Sequence, residues 1–292
     1  MTPQKEAAMR ALIATILVLM LAPCLPSPTH AQTTLTPAPS PTDTDSRWEV
    51  SVEGRVGFPV GYIRVNETAT HGTHLRLSDL GLDVSEAIEA GIAFWLTPRD
   101  AVRATYLYYF LRGGKTFDRA IVYDGQEYAA GRVDTNLDFW RASLAYERVL
   151  ASVGDHGRLV GSAGLTFVWL NAALTQHPKT KAEDFYLQEL PVPIVGLRYE
   201  ALLTERLGLR ASVAGGLLPK VDSLRTEGGT VYTWQSHADA SLAVTYAFTN
   251  MLSVEAGYQF TYLHQHEKSH EDDNVFELID NGPRARLTLR FW

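Results

Sequence analysis

The two residues whose side chains could most directly take part in a reaction are His237 and Asp239, two positions apart in a predicted strand. His237 and Asp239 flank Ala238, and because successive strand side chains point to opposite faces, both lie on one face. An imidazole and a carboxylate that share a site can act as a general acid–base pair. Because many carboxylates are predicted on the same inward faces, we favour a structural His–Asp pair in the core. Ser236 adjoins His237 and therefore faces the opposite way, so these two neighbours cannot form a serine–histidine pair.

Histidines are also concentrated near the end of the chain. His264, His266 and His270 stand among several carboxylates. Imidazoles and carboxylates at such spacing can bind Zn²⁺ or Cu²⁺. The spacing alone indicates no fixed geometry, and a hydrated loop tip has the same composition. We therefore expect no metal and no other cofactor.

These groups belong to a chain in which apolar and polar residues alternate from Trp48 onward. In the first segment Trp48, Val50 and Val52 are separated by Glu49 and Ser51. A period of two predicts a β-strand with one apolar face and one polar face. Ten segments follow this pattern: residues 48–60, 88–96, 102–110, 140–146, 161–169, 195–203, 207–213, 238–248, 252–262 and 285–291.

The connections between the predicted strands alternate between short and long. Tight turns are predicted at 97–100, 152–156, 204–206 and 249–251, and long polar loops at 63–86, 112–136, 172–190, 219–231 and 265–282. Both chain ends fall on the turn side, so the strand number is even. Short turns opposite long loops are typical of bacterial outer-membrane barrels. The sequence therefore predicts an all-β fold, a closed antiparallel transmembrane β-barrel of about ten strands.

Two of the long loops carry further patterns. In the first loop, leucines from Leu75 to Leu82 alternate with polar residues, so we expect this loop to pack over the barrel mouth or to fold inward as a lid. In the second loop, Asp124 and Gly125 separate two short apolar runs, a sequence typical of a β-hairpin turn. The third and fourth strands should continue above the membrane as a hairpin.

The C-terminus resembles the closing strand of outer-membrane barrels, which ends in an aromatic residue and is recognised by the barrel-assembly machinery. Here Leu287, Leu289 and Phe291 alternate with polar residues, and Trp292 follows one position beyond the pattern. The resemblance extends by pattern over residues 48–292. It implies assembly in an outer membrane, with membrane lipid and the assembly machinery as partners, and it implies no particular activity.

A membrane barrel turns its apolar residues outward and its polar residues inward. Ten strands leave a narrow lumen at most, because eight are already filled by side chains. The charges inside are then either a salt-bridged plug or the lining of a path for ions or small solutes. Besides Glu49, the predicted lumen-lining residues are Glu53, Arg55, Glu89, Arg103, Arg141, Glu147, Arg198, Glu200, Arg210, His237, Asp239, Glu255, Arg286 and Arg290.

The N-terminal part of the chain differs from the rest. Lys5 and Arg10 precede an apolar stretch that ends in Thr29-His30-Ala31, which predicts a signal peptide over residues 1–31. Residues 32–46 are rich in Pro, Thr and Ser and predict a disordered linker, followed by the barrel over 47–292. The single Cys of the 292 residues lies within the signal, and a net charge of −7 argues against nucleic-acid binding.

Three classes of function follow from this reasoning. The first is a structural or narrow-pore barrel, monomeric and without catalysis, and the second is a receptor or adhesin that acts through loops one, two and five. The third is an omptin-like or lipid-modifying outer-membrane hydrolase. A ten-stranded barrel is similar to the omptin proteases, which pair two Asp with an Asp–His couple, whereas a lipid A-type hydrolase would need a lipid-facing His–Ser pair with an acidic residue. Here the order is His237-x-Asp239, with no opposing Asp-x-Asp. The sequence names no external ligand.

Overall fold

The computed structural model describes residues 47–66, 70–176, 182–188, 190–226, 230–270 and 273–291. The predicted signal peptide, the predicted linker and Trp292 lie outside these ranges. The strands are β1 (Trp48–Gly57), β2 (Val60–Arg64), β3 (Leu75–Arg76), β4 (Ser85–Thr97), β5 (Asp100–Phe117), β6 (Ile121–Tyr123), β7 (Gln126–Tyr128), β8 (Gly131–Val153), β9 (Gly157–Gln176), β10 (Ala182–Gln188), β11 (Val192–Leu202), β12 (Leu207–Thr226), β13 (Thr230–Ala247), β14 (Leu252–Lys268) and β15 (Asp273–Phe291). A short 3₁₀ helix spans Leu77–Leu80.

Ten of these strands form a closed antiparallel ring. Their order is β1, β4, β5, β8, β9, β11, β12, β13, β14 and β15, and β15 pairs back onto β1 from Trp48 opposite Phe291 to Arg55 opposite Arg284. β10 pairs with the part of β9 beyond the β11 pairing. The predicted closed barrel of ten antiparallel strands is confirmed. Within the described residues, no helix is long and apolar enough to cross a membrane.

The four short turns lie on one end of the ring, here called the turn side, as predicted. Three of them begin with a threonine whose Oγ1 accepts a hydrogen bond from the backbone N–H three residues later. Thr97 accepts from Asp100, Thr204 from Leu207 and Thr249 from Leu252, each at 3.0 Å. A hydroxyl that binds the following backbone stabilises a turn at that position.

The strands extend further towards the loop side than the sequence predicted. The prediction stopped short because the apolar and polar faces of each strand exchange partway along its length. In the turn-side half of β8, Leu144 is exposed on the outer face and Glu147 is buried in the lumen. In the loop-side half, Leu137 and Phe139 are the buried inward residues, and Asp138 points outward. Much of the predicted loop sequence at 112–136, 172–190, 219–231 and 265–282 is therefore strand.

The first loop closes the loop-side end of the ring. Leu75, Leu77, Leu80 and Leu82 are each exposed by 2% or less and belong to the core that fills this end. Gly81 has a positive φ of 72° and follows the 3₁₀ helix, where its backbone packs against that of β5. We call residues 75–82 the cap. The expectation that this loop packs over the mouth is thus met.

A hairpin from the second loop completes the same core. β6 and β7 pair around Asp124 and Gly125, whose φ values of 51° and 67° suit a two-residue turn. Tyr123 is fully buried and donates its hydroxyl to the carbonyl of Ala172 on β9 at 2.7 Å. The predicted turn is correct, and the hairpin is a separate element between the ends of β5 and β8.

The closing seam between β1 and β15 generates the first testable prediction. Removal of Phe291 and Trp292 deletes the partner of Trp48 and the end of the closing strand, so the fast-migrating folded form on a gel without heating should be lost. Phe248→Ala, which removes an exposed turn-side aromatic away from the seam, is the matched control and should keep that form. Normal heat-modifiable migration of the truncated chain would contradict the role of the seam.

Candidate functional site

The turn-side half of the lumen contains a continuous network of buried ion pairs. One of its two most connected carboxylates is Glu53, which is 1% exposed and has three arginine partners. Its carboxylate accepts hydrogen bonds from Arg55 at 2.5 Å, from Arg286 at 2.7 Å and from Arg284. Since Glu53 and Arg55 lie on β1 and the other two on β15, this cluster bridges the closing seam.

The network continues around the lumen through shared partners. Glu147 accepts from Arg103 at 2.9 Å and from Arg198 at 2.7 Å. Arg198 also donates to Glu200 at 2.8 Å, and Glu200 lies 3.0 Å from Arg210. Charge-assisted hydrogen bonds of this kind satisfy buried charges that would be unfavourable alone. The side chains cross the lumen and join its walls.

The structure directs all the predicted lumen-lining residues inward. Two further arginines belong to the network, Arg158 with Glu200 and Arg284 with Glu53 and Glu255. Both lie just outside the predicted strands, so neither was predicted to line the lumen. Each stands an even number of positions from an inward residue of its strand, which is the signal that could have identified it. The remaining ion pairs join Arg55 and Arg286 to Glu89, Arg103 and Arg290 to Glu49, Arg210 to Glu255, and Arg141 to Asp239.

His237 and Asp239 face the lumen but do not bond to each other. Asp239 accepts two hydrogen bonds from Arg141, at 2.8 and 3.2 Å, and one from Thr261 at 2.8 Å. His237 Nε2 lies 3.0 Å from Gln235 Oε1, and within the described part of the chain its Nδ1 has no hydrogen-bond partner. The hypothesis of a His–Asp core pair is therefore wrong, because the guanidinium binds the carboxylate more strongly.

A small cavity remains between the ion pairs. Its volume is about 210 Å³, and its walls combine network arginines with small hydroxyl side chains such as Ser143, Thr166 and Ser212. The core formed by the cap and the β6–β7 hairpin occupies the loop-side end beyond it. Ion pairs thus cross the turn-side half of the lumen, and the loop-side end holds a mainly apolar core together with the buried polar side chains of Thr233, Gln235 and Gln265.

His264 and His266 lie on β14 and face outward, whereas His270 lies beyond the end of that strand. His266 Nε2 is 2.5 Å from Asp273 Oδ1, and its ring packs 3.7 Å from that of Trp234. Burial lowers the pKa of His266, and the bond to Asp273 acts in the opposite direction. His264 Nδ1 is 3.6 Å from Glu277 Oε2. Among the described residues, no group of three or more potential ligands could hold a metal ion.

The predicted assembly signal lies along the outer face of β15. Leu287 is opposite Val52, Leu289 opposite Val50 and Phe291 opposite Trp48. Trp292 is outside the described residues. The three described side chains complete the apolar surface where the last strand joins the first.

Comparison with known proteins gives likenesses of fold only. No family model and no curated protein matches the chain. Among solved structures, the outer membrane protease OmpT from Escherichia coli has 13% identity and a TM-score of 0.49, over 86% of this chain and 100% of its own. The translocator domain of the autotransporter NalP from Neisseria meningitidis has 13% identity and a TM-score of 0.44, over 99% and 96%. Neisserial surface protein A has 9% identity and a TM-score of 0.34, over 84% and 97%.

The buried network generates the second prediction. Glu53→Ala leaves Arg55, Arg284 and Arg286 short of a shared partner and should lower the free energy of unfolding by about 3–5 kcal/mol. The urea midpoint of the barrel folded into lipid vesicles, followed by tryptophan fluorescence, measures this change. Arg132→Ala breaks an exposed pair with Asp134 and should cost at most about 1 kcal/mol. Equal effects of the two variants would refute a stabilising role for the lumenal cluster.

Proposed function

We propose that this chain is an outer-membrane β-barrel with a structural, non-conducting role. The observation that carries the proposal is the double filling of the lumen, by ion pairs on the turn side and by the apolar core on the loop side. An ion that crossed would have to separate buried guanidinium–carboxylate pairs and then pass a closely packed, mainly apolar core, and both steps are unfavourable.

The outer surface supports a location in the membrane. Large apolar residues are exposed on the outer faces of most ring strands, including Val195, Val213, Leu217 and Leu242 at 56–66%. Contiguous apolar surface of this extent is not stable in water, whereas a closed hydrogen-bonded ring is stable in lipid. Export through the signal peptide predicted over residues 1–31, assembly by the barrel-assembly machinery, and a monomeric state with no free seam between β1 and β15 are parts of the same proposal.

The lumen is proposed to have no catalytic function. His237 and Asp239 are bound to different partners, and Arg141 occupies both oxygens of the carboxylate. An acid–base pair needs its two groups within hydrogen-bond reach of one another or of a substrate. The omptin-like alternative at these two residues therefore receives no support from their geometry.

The positions of the first and second loops limit the surface that a receptor or adhesin could use. The cap of the first loop and the apolar residues of the second-loop hairpin are buried in the core, so their leucines and tyrosines are not free to bind an external partner. A receptor function would have to use the polar outer surface of the extended strands around this core.

Conductance in planar lipid bilayers tests the proposal and is the third prediction. The purified barrel should insert without stable conductance steps, and so should Arg103→Glu and Arg210→Glu, provided that each variant keeps heat-modifiable migration. Stable steps in the native protein whose size or ion selectivity changes in either variant would overturn the proposal in favour of a narrow pore.

A further inference from the structure

Three polar side chains form one row on the outer face of the barrel, across three neighbouring strands. Ser236 on β13 is directly opposite His264 on β14, and His264 is directly opposite Glu277 on β15. The Cβ atoms of directly opposed residues in antiparallel strands are about 4.5–5.5 Å apart. A hydroxyl, an imidazole and a carboxylate thus stand side by side, with the imidazole in the middle.

The carboxylate is placed to orient the imidazole. His264 Nδ1 lies 3.6 Å from Glu277 Oε2, and among the residues that the structure describes this buried Nδ1 has no hydrogen-bond partner. Nδ1–H bound to a carboxylate leaves Nε2 as the basic nitrogen, which is the arrangement that activates a neighbouring serine hydroxyl.

The row lies at the boundary between the apolar and the polar outer surface. Immediately towards the turn side, Tyr262 pairs with Ile279 on the same face. Immediately towards the loop side, His266 packs on Trp234 and bonds to Asp273. Tyr and Trp are enriched where a membrane meets water. The row therefore stands at the depth of the ester bonds that link fatty acyl chains to lipid headgroups.

An apolar groove lies on the same outer face, on the turn side of the row. It has a volume of about 530 Å³, and its lining includes the small Ala211 and Ala240 beside the larger Val213, Leu242 and Phe260. This volume is within the range of sites that hold a small molecule, about 300–1,000 Å³. Ala240 is four residues from Ser236 on β13, about 13 Å along the strand. An acyl chain in the groove would present its ester end towards Ser236.

We propose that Ser236, His264 and Glu277 form a hydrolase site for fatty acyl esters of the outer leaflet. Ser236 Oγ attacks the ester carbonyl carbon while His264 Nε2 takes the hydroxyl proton. The carbonyl–oxygen bond to the lipid breaks, His264 returns the proton to the departing alcohol, and an acyl-serine remains. Water then attacks the acyl-serine with His264 as base, which releases the fatty acid and restores Ser236. Glu277 is a positioning residue that acts through His264.

This inference departs from the expectation of a barrel without catalysis. That expectation considered Ser236 only with His237, its neighbour in sequence, whereas the register brings Ser236 to His264 on the next strand. The site is outside the lumen, so it is independent of the proposed non-conducting role. Conductance measurements test the non-conducting role, and release of fatty acid tests the hydrolase site.

Release of fatty acid from defined lipid is the fourth prediction. The purified full chain, folded and heat-modifiable, is incubated with phospholipid vesicles and separately with lipopolysaccharide micelles, and free fatty acid is measured by mass spectrometry. Release in either arm supports the proposal and identifies the source of the ester. Ser236→Ala and His264→Ala should reduce the rate more than 100-fold, since each removes a reacting group.

Matched variants separate chemistry from folding. His266→Ala removes the neighbouring histidine of the same strand face, and Ser253→Ala removes a buried serine remote from the row, so both should keep the native rate. Glu277→Gln should slow release by about 10–100-fold, because the amide orients the imidazole less well than the carboxylate. Glu277→Asp should restore part of the rate, which a purely structural role would not predict.

Covalent labelling gives an independent readout. A fluorophosphonate probe should modify the folded native chain at Ser236, and the modification should be absent in His264→Ala while it persists in His266→Ala. A folded native chain that releases no more fatty acid than Ser236→Ala in both lipid arms, and that is not labelled at Ser236, would overturn the proposal.

Discussion

Closure of the backbone hydrogen bonds between β1 and β15 is the constraint on which the remaining structure depends. In lipid no water is available to an unpaired N–H or C=O, so a sheet that spans must have no free edge. Once Trp48 pairs with Phe291 and Arg55 with Arg284, the direction of every side chain in the ring is fixed by the parity of its strand position. The ionic layer follows, because inward charges must then find partners within the lumen.

The sequence was sufficient for features that depend on parity and turn chemistry. The ten strands, the four short turns and the Asp124–Gly125 hairpin follow from local patterns, and the inward direction of residues such as Glu53 and Arg103 follows from the alternation. Parity does not say which charges pair. Asp239 stands two residues from His237, yet it binds Arg141 from a distant strand, because distances across a lumen depend on curvature and shear that no local pattern contains.

The loop side was harder to predict because the meaning of the alternation reverses there. Around Leu144 the apolar residues are exposed on the outer face, and around Phe139 in the same strand they are buried in the interior. A strand prediction that follows apolar residues at every second position ends where the faces exchange, and it assigns the remaining part of the strand to a loop. The row of Ser236, His264 and Glu277 was not predicted for a related reason. Ser236 and His264 are 28 residues apart, and His264 and Glu277 are 13 residues apart, so they become neighbours only through strand register.

The position of Glu53 has a consequence for the order of events during assembly. Its arginine partners Arg284 and Arg286 are on the last strand, whereas Glu53 is on the first. While the sheet is still open, this part of the ionic layer cannot form and leaves charges of both signs hydrated at opposite edges. Charge neutralisation and ring closure therefore occur as one event, and opposite charges at the two edges favour their encounter. The residues that cross the lumen beside the seam thus place opposite charges on the first and last strands.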